Sequence, residues 1–278
     1  MEPNGSFAES SPLPPINPSK FYTAFLPRGL KLLRRIAPHL NPNVLQISSQ
    51  YILKPSDSSQ ALEEAHTIDF VSKHTTVPVP GIITAFQAKN GESFLLMKRC
   101  PGIPLGEFFF DLTYEEKQNV VHQLRCYMEQ LRALDPPQPG KIGSTLYRPL
   151  NDFRIANTPQ GPFDSVEDFH DFLRHGGQYP TGNRELDALI VAQDSRDYDI
   201  NFTHGDFGLR HVFYHGGKIT GIIDWEFAGW FPDYWEYAMA GYSVWSFVSI
   251  EDYLHMIMDP FPDELQMERL RWVLFAIV

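Results

Sequence analysis

Hydrophobic positions change their period along the chain, and the changes divide it. Residues 44–47, 50–53, 82–86 and 94–97 are short apolar or alternating runs of strand length, with Asn90-Gly91 as a turn between the last two. One helix interrupts them. Over residues 58–74, Leu62, Ala65, Ile68, Phe70 and Val71 supply its apolar face, and Ser58 or Ser59 its cap. Beyond Thr113 the period becomes helical: Val120, Leu124, Tyr127, Met128, Leu131 and Leu134 recur at threes and fours until Pro136-Pro137, with Glu115-Glu116 at the favourable N-terminal end. Shorter helices are predicted over 165–174, 184–192 and 265–278, and a strand over 199–202.

Ahead of these elements, residues 1–18 are rich in Ser, Pro and Asn and are expected to form a disordered tail. Residues 19–39 place Phe21, Phe25, Leu30, Leu33 and Ile36 near helical spacing, with Lys31, Arg34 and Arg35 between them and a break at Pro27. A helix packed on the domain is preferred there to one lying on a membrane. Met97-Lys98-Arg99 leads into Cys100-Pro101-Gly102, a connector. The expected organisation is therefore a tail (1–18), a small sheet-bearing lobe (19–97) and a mainly helical lobe (98–278).

Composition narrows the function. A net charge of −11 argues against a nucleic-acid surface, which needs basic patches. Only two cysteines are present, too few for a disulfide framework, which fits a reducing compartment and makes the cytoplasm the expected location. No apolar stretch reaches bilayer-spanning length, so no membrane partner is expected. An acidic chain suits neutral or cationic small molecules.

The chemistry concentrates between Asn201 and Glu236. Residues 212–214 and 218–224 are strand-like, and His215-Gly216-Gly217 is a turn cluster, so a β-hairpin folds Asp206 and Asp224 toward one site. A carboxylate that orients a hydroxyl beside one that binds a metal is the layout of phosphoryl transfer, with Asp206 in the first role and Asp224 in the second. His204 reads as a structural residue under the loop. Upstream, Lys54 at a strand end and Glu64 on the following helix can pair, aiming an ammonium at nucleotide phosphates.

HGD at 204–206, IIDWE at 222–226, WEYA at 235–238 and TTVPVP at 75–80 resemble the aminoglycoside phosphotransferase and choline kinase-like family of small-molecule kinases, most of all the branch abundant in fungi. The similarity covers about residues 44–240. The resemblance implies an α+β, protein-kinase-like two-lobed fold: an antiparallel sheet with one helix, then a helical lobe. It also implies ATP between the lobes, Mg2+ at Asp224, Lys54 and Glu64 as the phosphate-orienting pair, Met97 to Arg99 as the segment facing adenine, and a small-molecule hydroxyl acceptor.

Three departures from the family pattern stand out. His211 occupies the position of a metal-binding asparagine, and imidazole nitrogen suits softer metals better than magnesium. The loop expected between the first two strands, Ser48-Ser49, has no glycine. The chain also ends soon after the motif, where a truncated acceptor lobe is expected. Two rivals stay open: a catalytically weak or inactive kinase-like module, and a transition-metal hydrolase site built from His204, Asp206, His211 and Asp224. Trp230, Phe231, Tyr234, Trp235, Tyr242 and Trp245 are read as core before a cation-binding pocket. Asp233, Glu236, Glu251 and Asp252 offer either attraction for a cationic acceptor or solvated helix-end charge.

Overall fold

The protein is described from a computed structural model covering residues 12–174, 180–243 and 251–274. Its first lobe is built on a five-stranded antiparallel sheet of β1 (His39–Asn41), β2 (Val44–Gln46), β3 (Tyr51–Ser56), β4 (Ile82–Gln87) and β5 (Ser93–Lys98), in the order β1-β2-β3-β5-β4. Because strand side chains alternate, the sheet has two apolar faces. Leu45, Leu53, Phe94 and Leu96 pack with Leu26 and Leu30 of α1 (Lys20–Ile36). Ile52, Leu95 and Met97 face the other way, toward Leu62, Ala65 and Ile68 of α2 (Gln60–His74). Lys54 shares the face of Ile52, two residues away, and so points to the α2 side.

Three expectations about this lobe are corrected. Pro27 does not break α1, which runs uninterrupted over 17 residues because Leu26 and Leu30, on either side of the proline, bury in one cluster. β1 is an additional strand, three residues long and exposed, too short and too polar to register as a hydrophobic run. The connection between the first two strands is therefore Pro42-Asn43, while Ser48-Ser49 joins β2 to β3. Within the expected tail, Ile16 exchanges two backbone hydrogen bonds with Ala85 of β4 (2.8 and 2.9 Å), an isolated bridge that pins the chain to the sheet edge at that residue. Residues 1–11 lie outside the described residues.

After β6 (Ile103–Pro104), the second lobe is organised around α3 (Tyr114–Arg132). That helix opens on a reciprocal cap, Thr113 accepting from the Glu116 N–H and Glu116 accepting from the Thr113 N–H. β7 (Gly143–Ser144), α4 (Val166–Leu173) and α5 (Arg184–Asp194) precede β8 (Ile200–Thr203) and the hairpin of β9 (Val212–His215) and β10 (Lys218–Ile222). Gly216 and Gly217 have φ of 56° and 82°, the left-handed geometry of a two-residue hairpin turn. β11 (Gly229–Pro232), α6 (Trp235–Ser243), α7 (Glu251–Ile257) and α8 (Pro262–Leu274) complete the lobe. Trp230, Phe231, Tyr234 and Trp235 are fully buried, which makes them core; the Tyr242 side chain and Trp245 lie outside the described residues. Among the described residues no helix is long and apolar enough to cross a membrane.

Candidate active site

Two short segments tie the lobes together at the site. The N–H of Ile222, at the end of β10, donates to Pro78 O at 2.7 Å, which gives the proline-fixed 75–80 segment its role. Cys100, just past β5, packs so closely on Gly221 that a Cβ there would lie 2.2 Å from its sulfur. Between these ties the strand end carrying Lys54 faces the loop carrying Asp224. Lys54 Nζ lies 2.7 Å from Glu64 Oε2 and 2.6 Å from Asp224 Oδ1. Burial opposes the charge on this lysine, but Glu64, Asp224 and Glu226 together outweigh it and hold the ammonium protonated well above the ordinary lysine range.

Asp224 sits in left-handed backbone geometry (φ 71°, ψ 58°), uncommon for a residue with a Cβ and tolerated best by Asp and Asn. The bend turns the chain sharply at the end of the hairpin and presents the carboxylate to the cleft. Burial pushes its carboxyl up, yet the Lys54 ammonium, by its charge and its hydrogen bond, holds it below the usual range.

His211 bridges the two aspartates. Its Nδ1 lies 2.9 Å from the Asp206 carbonyl, and its Nε2 accepts from Arg210 Nε at 3.1 Å while standing 3.3 Å from Asp224 Oδ2. Those partners assign the proton to Nδ1, and the Nε2 lone pair, at the edge of the cleft, accepts from Arg210. Burial lowers this histidine's proton affinity, so the ring is neutral near pH 7. Asp206, His211 and Asp224 bring one ligand atom each within 4.8 Å of one another, as do Glu64, Asp224 and Glu226. Two carboxylates and one nitrogen fit a divalent cation; the nitrogen is the feature that magnesium does not ask for.

His204 takes no part in that set. Its Nδ1 accepts the Asp206 N–H at 3.2 Å and its Nε2 reaches Ile223 O at 2.9 Å, while the ring packs 4.5 Å from Trp225. Both ring nitrogens are occupied, which removes it from the four-ligand transition-metal arrangement. Next to it Gly205, at φ 78°, runs so close to Phe227 that a Cβ would lie 2.3 Å from the Phe227 oxygen. Only glycine fits.

Several charged groups that sequence reasoning left without a role surround Asp206. Arg154, 4% exposed, donates to Asp206 Oδ1 at 3.1 Å, to Gly205 O at 2.6 Å and to Asp152 at 2.6 Å. Arg210 donates from outside to both Asp206 oxygens, at 2.9 and 2.8 Å. Glu236, read as a lure for a cationic acceptor or a solvated charge, is buried and accepts the N–H groups of His204 and Gly205, so it holds the loop from beneath. Burial pushes its carboxyl up to about 7. Glu226, also raised to about 7 by burial, accepts from Gln60 at 3.2 Å. Arg34, Asn43, Lys54, Glu64 and Glu226 border a cavity of about 320 Å³, where the sequence expected nucleotide phosphates. Met97 is buried at the end of β5, and Arg99 is exposed with its N–H donated to Gln50 O at 2.8 Å.

A family model described as a phosphotransferase enzyme family (APH) matches residues 33–263. Among curated proteins, an aminoglycoside 3'-phosphotransferase of Enterococcus faecalis is 23% identical over 197 residues, and one of Staphylococcus aureus is also 23% identical. Each match spans 66% of this chain and 66% of the relative's length. Among solved structures, a thermostable mutant of the aminoglycoside phosphotransferase APH(4)-Ia, in ternary complex with AMP-PNP and hygromycin B, is similar with a TM-score of 0.59 at 16% identity, over 86% of this chain and 84% of that one. An aminoglycoside-3'-phosphotransferase of type VIII is similar with a TM-score of 0.56 at 16% identity, over 88% and 97%. The two-lobed kinase-like fold is thereby shared.

Proposed function

Because this chain belongs to the phosphotransferase enzyme family, we propose that it transfers the γ-phosphoryl group of ATP to a hydroxyl of a small molecule. The supporting observation is the meeting of Lys54, Glu64 and Asp224 in the cleft with Asp206 one imidazole away. Such a set has the parts that positioning and charge stabilisation require, and phosphoryl transfer asks the protein for little else.

In this reading Asp206 accepts the hydrogen bond of the acceptor hydroxyl and takes its proton as the oxygen attacks phosphorus in line with the leaving ADP oxygen. Glu236 and His204 hold the loop that carries Asp206, and Arg154 orients its carboxylate. Lys54, steadied by Glu64, faces the phosphates. A divalent cation, Mg2+ or one better suited to nitrogen, would be held by Asp224 and His211, and when bound it offsets charge on the phosphate oxygens. The acceptor class named for the relatives is the aminoglycosides, and hygromycin B occupies the APH(4)-Ia complex; a hydroxylated, amine-bearing acceptor is the first to try.

A second reading keeps the fold and lowers the activity. Arg210 and Arg154 together engage the Asp206 carboxylate, which must be free to receive a hydroxyl. The deciding experiment is a screen of hydroxylated metabolites and aminoglycosides with labelled ATP, run beside Asp206→Asn. Acceptor-dependent label transfer that falls about 100-fold or more in the variant, with nucleotide binding retained, is expected. Nucleotide binding without transfer to any acceptor supports the second reading, and an undiminished Asp206→Asn removes Asp206 from the base role.

A further inference from the structure

α1 has three faces rather than two. At roughly 100° per residue, Leu26 and Leu30 turn inward and are 4% and 5% exposed. Phe21, Phe25, Leu32 and Ile36 share a different stripe and are 65%, 45%, 58% and 66% exposed. Phe21 and Phe25 stack on each other there with ring centroids 5.6 Å apart. Lys20, Arg28, Lys31 and Arg35, all exposed, form the stripe beside them. With Arg34 the helix carries five positive charges and no acidic residue, in a chain of net charge −11. An outward apolar stripe of this size is not explained by packing, since the core-facing side chains are others.

We propose that α1 docks on an anionic lipid surface, its Phe21–Ile36 stripe entering the headgroup boundary and its basic stripe meeting the lipid charges. Aromatic and aliphatic side chains beside lysine and arginine on one helix are what such an interface rewards. Each basic residue near an anionic leaflet adds a screened attraction. A second copy is the less suitable occupant, because pairing two α1 helices along this stripe sets five positive charges against five. The inference stands apart from the proposed activity and revises the expectation of no membrane partner.

The test is co-sedimentation of the whole chain with phosphatidylcholine vesicles, with and without phosphatidylserine, beside the triple variant Phe21→Gln, Phe25→Gln, Ile36→Gln. Binding only to the serine-containing vesicles is expected, weakened about tenfold by the triple variant and by high salt, with an unchanged thermal midpoint. Lys31→Glu with Arg35→Glu gives the same loss by charge alone. No sedimentation with either vesicle, or equal sedimentation with both, overturns the proposal. A dimeric mass in solution that becomes monomeric in the triple variant also overturns it, by assigning the stripe to a second copy.

Discussion

Lys54 and Asp224, 170 positions apart in sequence, meet with 2.6 Å between Nζ and Oδ1, and their contact carries the first lobe's charge onto the second lobe's loop. Lys54 also holds Glu64, so one ammonium neutralises two carboxylates, one of them buried. Lys54→Met keeps most of the length of the side chain and removes the charge. Breaking a buried pair by removing one partner costs about 3 to 5 kcal/mol, discounted here because Asp224 is partly exposed. The expected outcome is a lower thermal midpoint together with loss of nucleotide binding by calorimetry; wild-type nucleotide affinity in this variant would place the phosphates elsewhere.

Arg154 joins Asp152 to Asp206 inside the second lobe, and all three side chains are at least mostly buried. Burial opposes the guanidinium charge, but Asp152 and Asp206 outweigh it. Arg154→Met alone leaves the buried Asp152 carboxylate without its guanidinium partner, while Asp206 keeps Arg210, a loss on the order of 3 kcal/mol. Adding Asp152→Asn removes that stranded charge, so the double variant is expected to be more stable than Arg154→Met. Denaturant melts of wild type, Arg154→Met, Asp152→Asn and the double variant check this, and an additive double variant would show that the pair does not act as a unit.

How much of this was legible in the chain follows from what each residue advertises. The hairpin, α2 and α3 were readable because glycines, caps and periodic apolar positions act locally. The Lys54–Glu64 pair was readable only through spacing on two elements whose packing the apolar pattern implied. Arg154 was not, since it lies in a loop without periodicity and its partner Asp206 is 52 positions away. Glu236 was visible in its motif but misplaced: a carboxylate beside aromatics looks solvated until backbone N–H groups of another segment are set against it. β1 escaped because edge pairing, not burial, defines it.

In the proposed reading, His211 sets which cation the site prefers. With Nδ1 committed to Asp206 O, the atom it has for a cation is Nε2, a nitrogen 3.3 Å from Asp224 Oδ2 that Arg210 would have to release. Manganese accepts mixed nitrogen and oxygen donors more readily than magnesium. His211→Asn substitutes an amide oxygen, and the ratio of Mg2+-supported to Mn2+-supported turnover is expected to rise several-fold. Initial rates across both metals measure it, and an unchanged ratio would exclude His211 from the coordination shell.

Glu236 makes stability depend on pH in a direction opposite to that of surface carboxylates. Burial raises its carboxyl from 4.5 to about 7 in the folded chain, so the folded state holds its proton more tightly than the unfolded state does. The resulting stabilisation is complete below the unfolded value near 4.5 and is lost as pH rises through about 7. Glu236→Gln cannot ionise and keeps one acceptor oxygen for the two N–H groups of His204 and Gly205, which costs a constant amount at every pH. Against that constant, the stability advantage of wild type over Glu236→Gln is expected to shrink by roughly 2 kcal/mol between pH 5 and pH 7.5. Taking the difference between the two proteins cancels the buried His170 and His204, whose lowered proton affinities act in the opposite sense. Urea melts at four or five pH values measure the slope, and parallel curves would mean that Glu236 is already ionised in the folded protein, held so by Arg154 and the two backbone donors.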